Sequence, residues 1–248
     1  TVEAGLPSNV VYCVYRDSKG YLWISTDKGV ARCNGLKFET FSTFNGLPDN
    51  EIFFIQEDYL GRIWLGTFNG ELCFFKDGIL HTAANTPFLK VPLKEPHMRH
   101  ISNEADSSVI ICYDDPKKVL VIGKDASKVL DLRKLKDTDI VSSVCFTRKI
   151  SDNRYKLICT NRLVFIDTLY NVLGIENIDS QLIHKGYFVS CQNQDYLYND
   201  SCIFTMGLKL LKKCRNGFLR KFFLQELYMN GNDVFYAASG AGFCLRLA

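Results

Sequence analysis

The sequence of 248 residues lacks the features that would assign it at once to the membrane, nucleic-acid-binding or disordered classes. No apolar run approaches the roughly 18 residues that a membrane-spanning helix requires. The net charge is only +3, from 30 basic and 27 acidic residues, which is too little to indicate a nucleic-acid-binding surface. Hydrophobic residues make up 47% of the chain, which excludes wholesale disorder and is enough for a large core.

Catalytic and metal-binding motifs are also missing. The chain has no serine–histidine–aspartate order, no suitable carboxylate pair and no glycine-rich phosphate loop, so we predict no catalytic residues and no cofactor. The four histidines are His81, His97, His100 and His184. His97 and His100 have the spacing of metal ligands, but a zinc site needs three or four protein ligands and no third one is near in sequence. We therefore predict no metal site.

The ten cysteines lack the C-x-x-C spacing of metal or redox sites. They form about 4% of the chain, below the roughly 8–10% of small disulfide-dense domains. We predict that few, if any, are bridged and that most are small buried hydrophobic residues in strands. They are Cys13, Cys33, Cys73, Cys112, Cys145, Cys159, Cys191, Cys202, Cys214 and Cys244.

An internal repeat with an offset of 41 residues is present near the N-terminus. Its first part reads G-L-P-x-N, at residues 5–9 and 46–50, and its second part reads D-x-x-G-x-x-W-x-x-T-x-x-G, at 17–29 and 58–70. The shared residues of the second part are Asp17, Gly20, Trp23, Thr26 and Gly29 in the first copy and Asp58, Gly61, Trp64, Thr67 and Gly70 in the second. Periods of this length are typical of propellers and solenoids.

Each copy predicts four short antiparallel strands. Val10–Tyr15 and Tyr21–Thr26 are rich in β-branched and aromatic residues and flank an Asp-x-x-Gly turn. Val30–Cys33 and Lys37–Phe41 flank Asn34-Gly35, which is the strongest short hairpin signal. Four strands in about 41 residues are the period of one β-propeller blade. The sequence therefore predicts an all-β propeller.

Weaker copies continue along the chain, with Val121, Ile158, Tyr198 and Tyr236 at the position of the tryptophan. The segment from Ile79 to Ile101 contains three prolines and is predicted to be an extended loop or an irregular outer strand. We predict one propeller domain over residues 1–248 with about six four-stranded blades. Seven blades, or a portion of a longer propeller array, are the alternatives. The predicted blades are 5–45, 46–100, 101–140, 141–180, 181–220 and 221–248, the last being incomplete.

The two parts of the motif together resemble the two-component regulator propeller repeat, strongly over residues 5–78 and fairly over 233–246. In that family such repeats form the extracytoplasmic sensor region of histidine kinases, which commonly detect oligosaccharides and signal as dimers through a membrane helix. The resemblance implies a periplasmic or extracytoplasmic ligand-sensing domain, a homodimeric parent protein and no bound nucleic acid. Because the chain has no kinase motif, we expect it not to be an enzyme itself.

Two other functions stay open at this stage. One is a scaffold that binds protein partners through a propeller face, for which an exposed apolar patch would be evidence. The other is an enzyme similar to the streptogramin lyases, which are propellers with a similar D-x-x-G-x-x-W-x-x-T pattern. Those enzymes need a histidine base and an acid that supports a metal in the central region.

Candidate site residues fall into three groups. The tryptophans recur in mid-strand, so we predict that they pack between blades, and that the repeated aspartates and glycines form turns. Asn9 and Asn50 lie in connections between blades, where they either face a ligand or cap the loop backbone. Lys212, Lys213 and Arg215 are candidate ligand-binding residues for an anionic group, or else they protect a solvated strand edge. The whole basic cluster is Lys209, Lys212, Lys213, Arg215, Arg220 and Lys221.

Overall fold

The structure, a computed structural model, describes residues 2–91, 98–104, 106–113, 115, 117–159 and 162–177. Beyond residue 177 it describes seven strands without their side chains. Contacts within the chain divide it into two compact units, Thr1–Asp131 and Leu132–Ala248.

The first unit consists of three four-stranded antiparallel sheets, in which each strand pairs with its neighbours in sequence. Short 3-10 helices lie before the first strand, between the first two sheets and after the second sheet, at Val2–Ala4, Thr43–Asn45 and Pro87–Leu89. The strands are β1 (Val11–Arg16), β2 (Leu22–Thr26), β3 (Gly29–Cys33), β4 (Phe38–Phe41), β5 (Ile52–Glu57), β6 (Ile63–Thr67), β7 (Leu72–Lys76), β8 (Ile79–His81), β9 (Met98–Asn103), β10 (Val109–Tyr113), β11 (Lys118–Ile122) and β12 (Ser127–Asp131).

The second unit has two further four-stranded sheets and one sheet of three described strands. A 3-10 helix, Leu132–Lys134, and the helix α1, Thr138–Ser143, precede its first strand. Within the described residues, no helix has both the length and the apolar character needed to cross a membrane. The strands are β13 (Val144–Ser151), β14 (Arg154–Cys159), β15 (Arg162–Asp167), β16 (Val172–Asn177), β17 (Tyr187–Cys191), β18 (Gln194–Tyr198), β19 (Cys202–Thr205), β20 (Leu210–Lys213), β21 (Leu224–Asn230), β22 (Asp233–Ala238) and β23 (Cys244–Leu247).

The predicted fold class is confirmed, because the chain is built from four-stranded antiparallel sheets with few helices. All four strands predicted for the first repeat are present, and their ends differ from the predicted ones by no more than one residue. The blade count and the blade boundaries stay predictions. The predicted positions at Ile158, Tyr198 and Tyr236 lie in second strands of their sheets, as Trp23 does. The pairing after the bulge, however, places Lys156 and Phe235, rather than Ile158 and Tyr236, at the position of Trp23.

The predicted position of the third repeat at Val121 is wrong. Val121 lies in β11, which is the third strand of its sheet, whereas Trp64 lies in a second strand. The turn before β10 has the backbone bonds of the Asp-x-x-Gly turns, since the N–H of Glu104 donates to the carbonyl of Ser108 and the N–H of Ser107 donates to that of Glu104.

The residue that corresponds to Trp64 in the third sheet is Ile110, six residues after Glu104 and 46 residues after Trp64. The bulge in the first strand shows the same offset, since Phe53 is the extra residue in β5 and Arg99 is the extra residue in β9. The repeat motif does not reveal this copy, because Glu104 and Ser107 replace the aspartate and glycine that mark the turn.

Neighbouring sheets of the first unit pack through two apolar clusters, and the first strands of successive sheets contact one another, β1 with β5 and β5 with β9. Burial of this apolar surface is the main favourable contribution to the stability of such sheets. The cluster around Trp23 contains Val30, Leu47, Ile52, Ile55, Ile63, Leu65, Cys73 and Phe75. The cluster around Trp64 contains Leu72, Phe74, Leu89, Ile101, Val109, Ile111, Tyr113, Leu120 and Ile122.

Gly29 lies where the backbone of the second turn runs close to another strand. Its φ is +121°, and a Cβ atom there would lie 2.1 Å from the carbonyl oxygen of Phe41. Gly35 also has a left-handed backbone, with φ +92°, but its Cβ would meet nothing within 4 Å. At Gly29 a side chain is therefore disfavoured both by the left-handed backbone and by the contact with Phe41. At Gly35 only the left-handed backbone disfavours it.

We predict that Gly29→Ala lowers the free energy of unfolding by about 3 kcal/mol or more, from left-handed strain and overpacking together. The control Gly35→Ala should cost only about 1–2 kcal/mol, from strain alone. Urea unfolding followed by circular dichroism measures both. Equal losses in the two variants would contradict the crowding at Gly29.

Five cysteines have described side chains, and none of these five is in a disulfide: Cys13, Cys33, Cys73, Cys112 and Cys159. The side chains of the other five lie outside the described part. Cys73, Cys112 and Cys159 are buried, whereas Cys13 and Cys33 are partly accessible. Burial, together with the carboxylate of Glu71, raises the pKa of the Cys73 thiol.

We predict that a thiol reagent at mildly alkaline pH modifies Cys33 in the native protein well before it modifies Cys73. The thiolate is the reactive form, and burial both shields Cys73 and keeps it protonated. Peptide mapping by mass spectrometry after timed labelling distinguishes the two sites, and labelling in urea provides the fully accessible control. Labelling of Cys73 at the rate of Cys33 in the native protein would contradict the burial.

Candidate functional site

The repeated aspartate and tryptophan are joined by a hydrogen bond in both copies. The indole N–H of Trp23 donates to Oδ2 of Asp17 at 2.8 Å, and the indole N–H of Trp64 donates to Oδ2 of Asp58 at 2.8 Å. All four side chains are buried. The structure therefore places both tryptophans inside the packing between sheets, where a sugar ring has no access to them.

The second carboxylate oxygen of each aspartate closes the turn between the first two strands. Oδ1 of Asp17 accepts the N–H of Tyr21 at 2.8 Å, and Oδ1 of Asp58 accepts the N–H of Arg62 at 3.0 Å. Each aspartate thus connects a turn to the tryptophan six residues later. This double role explains the fixed spacing of aspartate and tryptophan in the motif.

The other repeated residues also act within turns. The N–H groups of Gly20 and Gly61 donate to the carbonyls of Asp17 and Asp58, and the N–H of Gly70 donates to the carbonyl of Thr67. In the second turn, Oγ1 of Thr26 donates to the carbonyl of Gly29 at 2.8 Å, and Oγ1 of Thr67 donates to the carbonyl of Glu71 at 2.6 Å. The repeated polar groups are therefore engaged in local structure.

An arginine lies over each tryptophan, as expected for a cation–π contact. The guanidinium carbon of Arg32 is 5.4 Å from the ring centroid of Trp23, and that of Arg62 is 5.0 Å from the ring centroid of Trp64. Sequence analysis did not identify this contact.

The two arginines come from different positions in the repeat. Arg32 pairs with Trp23 across the strands and also lies 4.9 Å from the ring of Tyr21. In the second repeat Phe74 is the residue that pairs with Trp64 across the strands. Arg62 occupies the position equivalent to Tyr21, and its guanidinium carbon lies 5.6 Å from the ring centroid of Phe74. The arginine and the aromatic residue exchange places while the cover over the tryptophan is kept.

Asn9 and Asn50 cap the loops that precede the first strands. Oδ1 of Asn9 accepts the N–H of Val2 at 2.9 Å, and Oδ1 of Asn50 accepts the N–H of Thr43 at 2.8 Å. Their side-chain oxygens are thus used by the loop backbone. A role for either residue in ligand binding stays a prediction.

The predicted basic candidates lie in the second unit. Lys212 and Lys213 belong to β20, the outer strand of its sheet, where they pair with Ile203 and Cys202. Arg215 lies outside the described residues. Of the predicted histidine pair, His100 lies in β9 and His97 is outside the described residues. In the described part of the chain, no group of three or more histidine, cysteine, aspartate and glutamate residues is arranged to hold a metal.

A groove of about 450 Å³ lies in the first unit, between the second and third sheets. The irregular segment after β8 forms one wall, and the turn between β11 and β12 forms the other. We call it the inter-sheet groove. Its lining residues include Arg62, Phe74, Lys76, His81, Asn85, Thr86, Phe88, Lys124 and Asp125.

The rings beside the inter-sheet groove are already stacked on one another. His81 lies parallel to Phe74, with the ring centroids 4.6 Å apart, and Phe88 is stacked on Phe74 at 6.1 Å. Phe74 is only 3% exposed. Nδ1 of His81 lies 3.0 Å from Oγ1 of Thr86. The ring of Phe74 is therefore covered, and the half-buried rings of His81 and Phe88 line the groove together with charged side chains.

A second surface of the first unit is formed by three aromatic side chains, which we call the aromatic row: Tyr12, Phe53 and Phe68. The ring centroids of Tyr12 and Phe53 are 4.6 Å apart, and those of Phe53 and Phe68 are 5.9 Å apart. Phe53 is 36% exposed and Phe68 is 46% exposed. Sequence analysis missed this surface, although aromatic residues at equivalent positions of the two repeats, 12 and 53, were a signal for it.

Carboxylates lie beside the aromatic row. The hydroxyl of Tyr12 is 3.5 Å from Oε1 of Glu51, and the N–H of Phe68 donates to the carbonyl of Glu51 at 2.9 Å. Desolvation raises the pKa of the Tyr12 phenol, and the carboxylates of Glu51 and Asp27 raise it further. The phenol therefore stays protonated and can donate a hydrogen bond.

We predict that Asp58→Ala lowers the free energy of unfolding by about 3–5 kcal/mol, because it leaves a buried charge uncompensated. Nε of Arg62 lies 2.6 Å from Oδ2 of Asp58, and Arg62 is 2% exposed. The control Asp17→Ala removes the equivalent bonds to Tyr21 and Trp23 without leaving a buried charge unpaired, and should cost about 1–3 kcal/mol. Urea unfolding followed by tryptophan fluorescence measures both variants. An equal loss would contradict the role of Arg62.

Comparison with known proteins identifies the repeat. The family model described as "two component regulator propeller" matches residues 5–28 and 46–69. These stretches begin at the G-L-P-x-N part and include the buried aspartate and tryptophan. The resemblance inferred from the sequence is confirmed. No curated protein matches the sequence.

Solved structures share the fold. Virginiamycin B lyase from Staphylococcus aureus, a catalytically inactive variant with quinupristin, is 14% identical with a TM-score of 0.61, covering 94% of this chain and 79% of that chain. The extracellular domain of a putative hybrid two-component system from B. thetaiotaomicron is 13% identical with a TM-score of 0.62, covering 100% of this chain and 34% of that chain. Another such domain from B. thetaiotaomicron is 14% identical with a TM-score of 0.55, covering 94% of this chain and 33% of that chain.

At identities of 13–14%, these likenesses establish the fold alone. The chain shares a propeller-type fold with these extracellular domains, and it spans about a third of their length. The motif, its hydrogen bonds and the family match coincide in the first two sheets. Residues 5–28 and 46–69 are therefore two copies of the two-component regulator propeller repeat.

Proposed function

We propose that the chain is an extracytoplasmic, periplasmic ligand-sensing domain of a two-component histidine kinase, and that its ligand is an oligosaccharide. The observation that carries this proposal is the pair of matched regulator propeller repeats. The fold shared with extracellular domains of hybrid two-component systems supports it. The kinase and a membrane-spanning helix belong to a longer, homodimeric parent protein.

The signal is carried by a change in packing rather than by deformation of a sheet. A ligand shifts an equilibrium only if it binds one arrangement more tightly than another. The sheets of the first unit are joined by buried aromatic clusters and buried aspartate–tryptophan bonds, and such close-packed interiors resist small deformations. Ligand binding therefore changes how propellers or protomers pack, and the membrane helix of the parent relays this change.

The domain itself has no catalytic role and binds no nucleic acid in this proposal. The repeated polar side chains of the first unit form turns and buried bonds, which supports a structural rather than a chemical use for them. The net charge of +3 gives no strong electrostatic attraction for a polyanion. Phosphotransfer belongs to the kinase of the parent.

A thermal-shift screen with neutral, amine-bearing and acidic oligosaccharides tests the proposal. A ligand at 100 times its Kd stabilises the folded state by about 2.7 kcal/mol, which raises the melting temperature by about 5–10 °C for a chain of this size. Solution scattering of the dimeric parent with the active sugar should then show a change in protomer arrangement. Stabilisation by no sugar would overturn the ligand class, and unchanged scattering at saturation would overturn the relay.

A propeller lyase is the second candidate, because the fold is shared with virginiamycin B lyase. Incubation of the protein with quinupristin, followed by mass spectrometry, tests this directly. Intact quinupristin after long incubation with and without added Mg²⁺ argues against the lyase. Cleavage of quinupristin that depends on His81 would replace the sensor proposal.

A further inference from the structure

We propose that the aromatic row, Tyr12, Phe53 and Phe68, is the sugar-recognition surface of this domain and that it binds an uncharged sugar ring. The inference rests on the proposed function, since it presupposes an oligosaccharide ligand. It adds the place of binding and the charge class of the sugar. Both can fail while the sensor proposal holds.

The backbone places two of the three rings at the same irregular position. Val11 pairs with Thr26 and Cys13 with Ser25, so that Tyr12 is the extra residue of a β-bulge. Phe53 is the extra residue of the equivalent bulge in β5. A bulge redirects a side chain out of the regular alternation of the strand, and bulges are frequent beside binding sites.

The bulge itself belongs to the scaffold, but its aromatic occupants do not. In the first strands β9, β13 and β21 the equivalent extra residues are Arg99, Cys145 and Gln225. A ring at this position is therefore not required for the bulge to form. Tyr12 and Phe53 are a feature of the two neighbouring sheets that also carry the matched repeats.

The exposed ring area suits one small ring rather than a long flat chain. Phe53 is inclined by 42° to Tyr12 and by 68° to Phe68, so that Phe53 and Phe68 form a corner. Both have more than a third of their surface exposed. A sugar ring can place its apolar face against Phe53 and its edge against Phe68, which removes apolar surface from water on both partners.

The polar groups around the aromatic row favour a neutral sugar over an acidic one. The carboxylate of Glu51 lies 3.5 Å from the Tyr12 hydroxyl, and the carboxylate of Asp27 also raises the pKa of the phenol. Carboxylates accept hydrogen bonds from sugar hydroxyls, whereas they repel uronate or sulfate groups. The Tyr12 hydroxyl donates to Glu51, and its oxygen can accept a hydrogen bond from a sugar hydroxyl.

The inter-sheet groove has the opposite character. Lys76 and Lys124 line it, and the ring of Phe74 is covered by His81 and Phe88. Phe74 therefore offers no open face to a sugar there, and the two lysines favour an acidic sugar over a neutral one. The two surfaces therefore predict opposite preferences for sugar charge, and a paired set of variants distinguishes them.

The test measures binding of cellohexaose and xylohexaose, as neutral probes, and of a hexamer of galacturonate, as an acidic probe, by calorimetry. We expect a neutral probe to bind, with Kd raised about 10- to 100-fold in the double variant Phe53→Ala/Phe68→Ala. The exposed Phe44→Ala and the groove variant Lys124→Gln are controls and should leave Kd unchanged; Phe44 is 98% exposed. Phe53→Trp should retain binding, and the melting temperatures of all variants report on folding.

Each outcome decides a different claim. Neutral binding that survives the double variant, or that is lost in Lys124→Gln, overturns the aromatic row and leaves the sensor proposal intact. Binding of the galacturonate hexamer alone overturns the inferred charge class. Binding of none of the three probes overturns the inference, while the wider sugar screen still tests the proposed function separately.

Discussion

The hydrogen bond between a buried aspartate and a buried tryptophan is the constraint on which the first two sheets depend. Asp17 and Asp58 each use one carboxylate oxygen for the turn and the other for the indole N–H, at 2.8 Å in both repeats. A buried carboxylate without such partners would be very costly. Because the bond joins the turn to the middle of the second strand, it fixes where the tryptophan side chain enters the packing between sheets.

Other positions of the repeat can vary as long as this bond and its cover persist. Tyr21 and Arg32 cover Trp23, whereas Arg62 and Phe74 cover Trp64 with the two residue types exchanged. In either arrangement the guanidinium lies against aromatic faces. The attraction between its positive charge and the rings then supplements its hydrogen bonds. In the second repeat Arg62 also pairs with Asp58, which makes that repeat more dependent on its charges.

The repeats could be predicted because turn residues and tryptophans carry a signal that is local in sequence. Asp17 to Trp23 is such a signal, and the strands around it were predicted to within one residue. Where Glu104 and Ser107 take over the turn, the same backbone bonds form but the signal disappears, and Val121 was selected in place of Ile110. The aromatic row could not be predicted from spacing alone, since a bulge reverses the expected side of a strand at Tyr12 and Phe53.

The invariant and the variable residues of one repeat have different uses. The residues that recur in both matched repeats are engaged in turns and buried bonds. The ligand recognition that we propose therefore rests on residues that the scaffold leaves variable. The bulge is such a place, because its geometry is set by the backbone while its side chain differs between sheets, from Tyr12 and Phe53 to Gln225. A rigid sheet with a variable bulge residue can change its ligand without changing its packing. A ligand held there contacts two neighbouring sheets at once, through Tyr12 and Phe53.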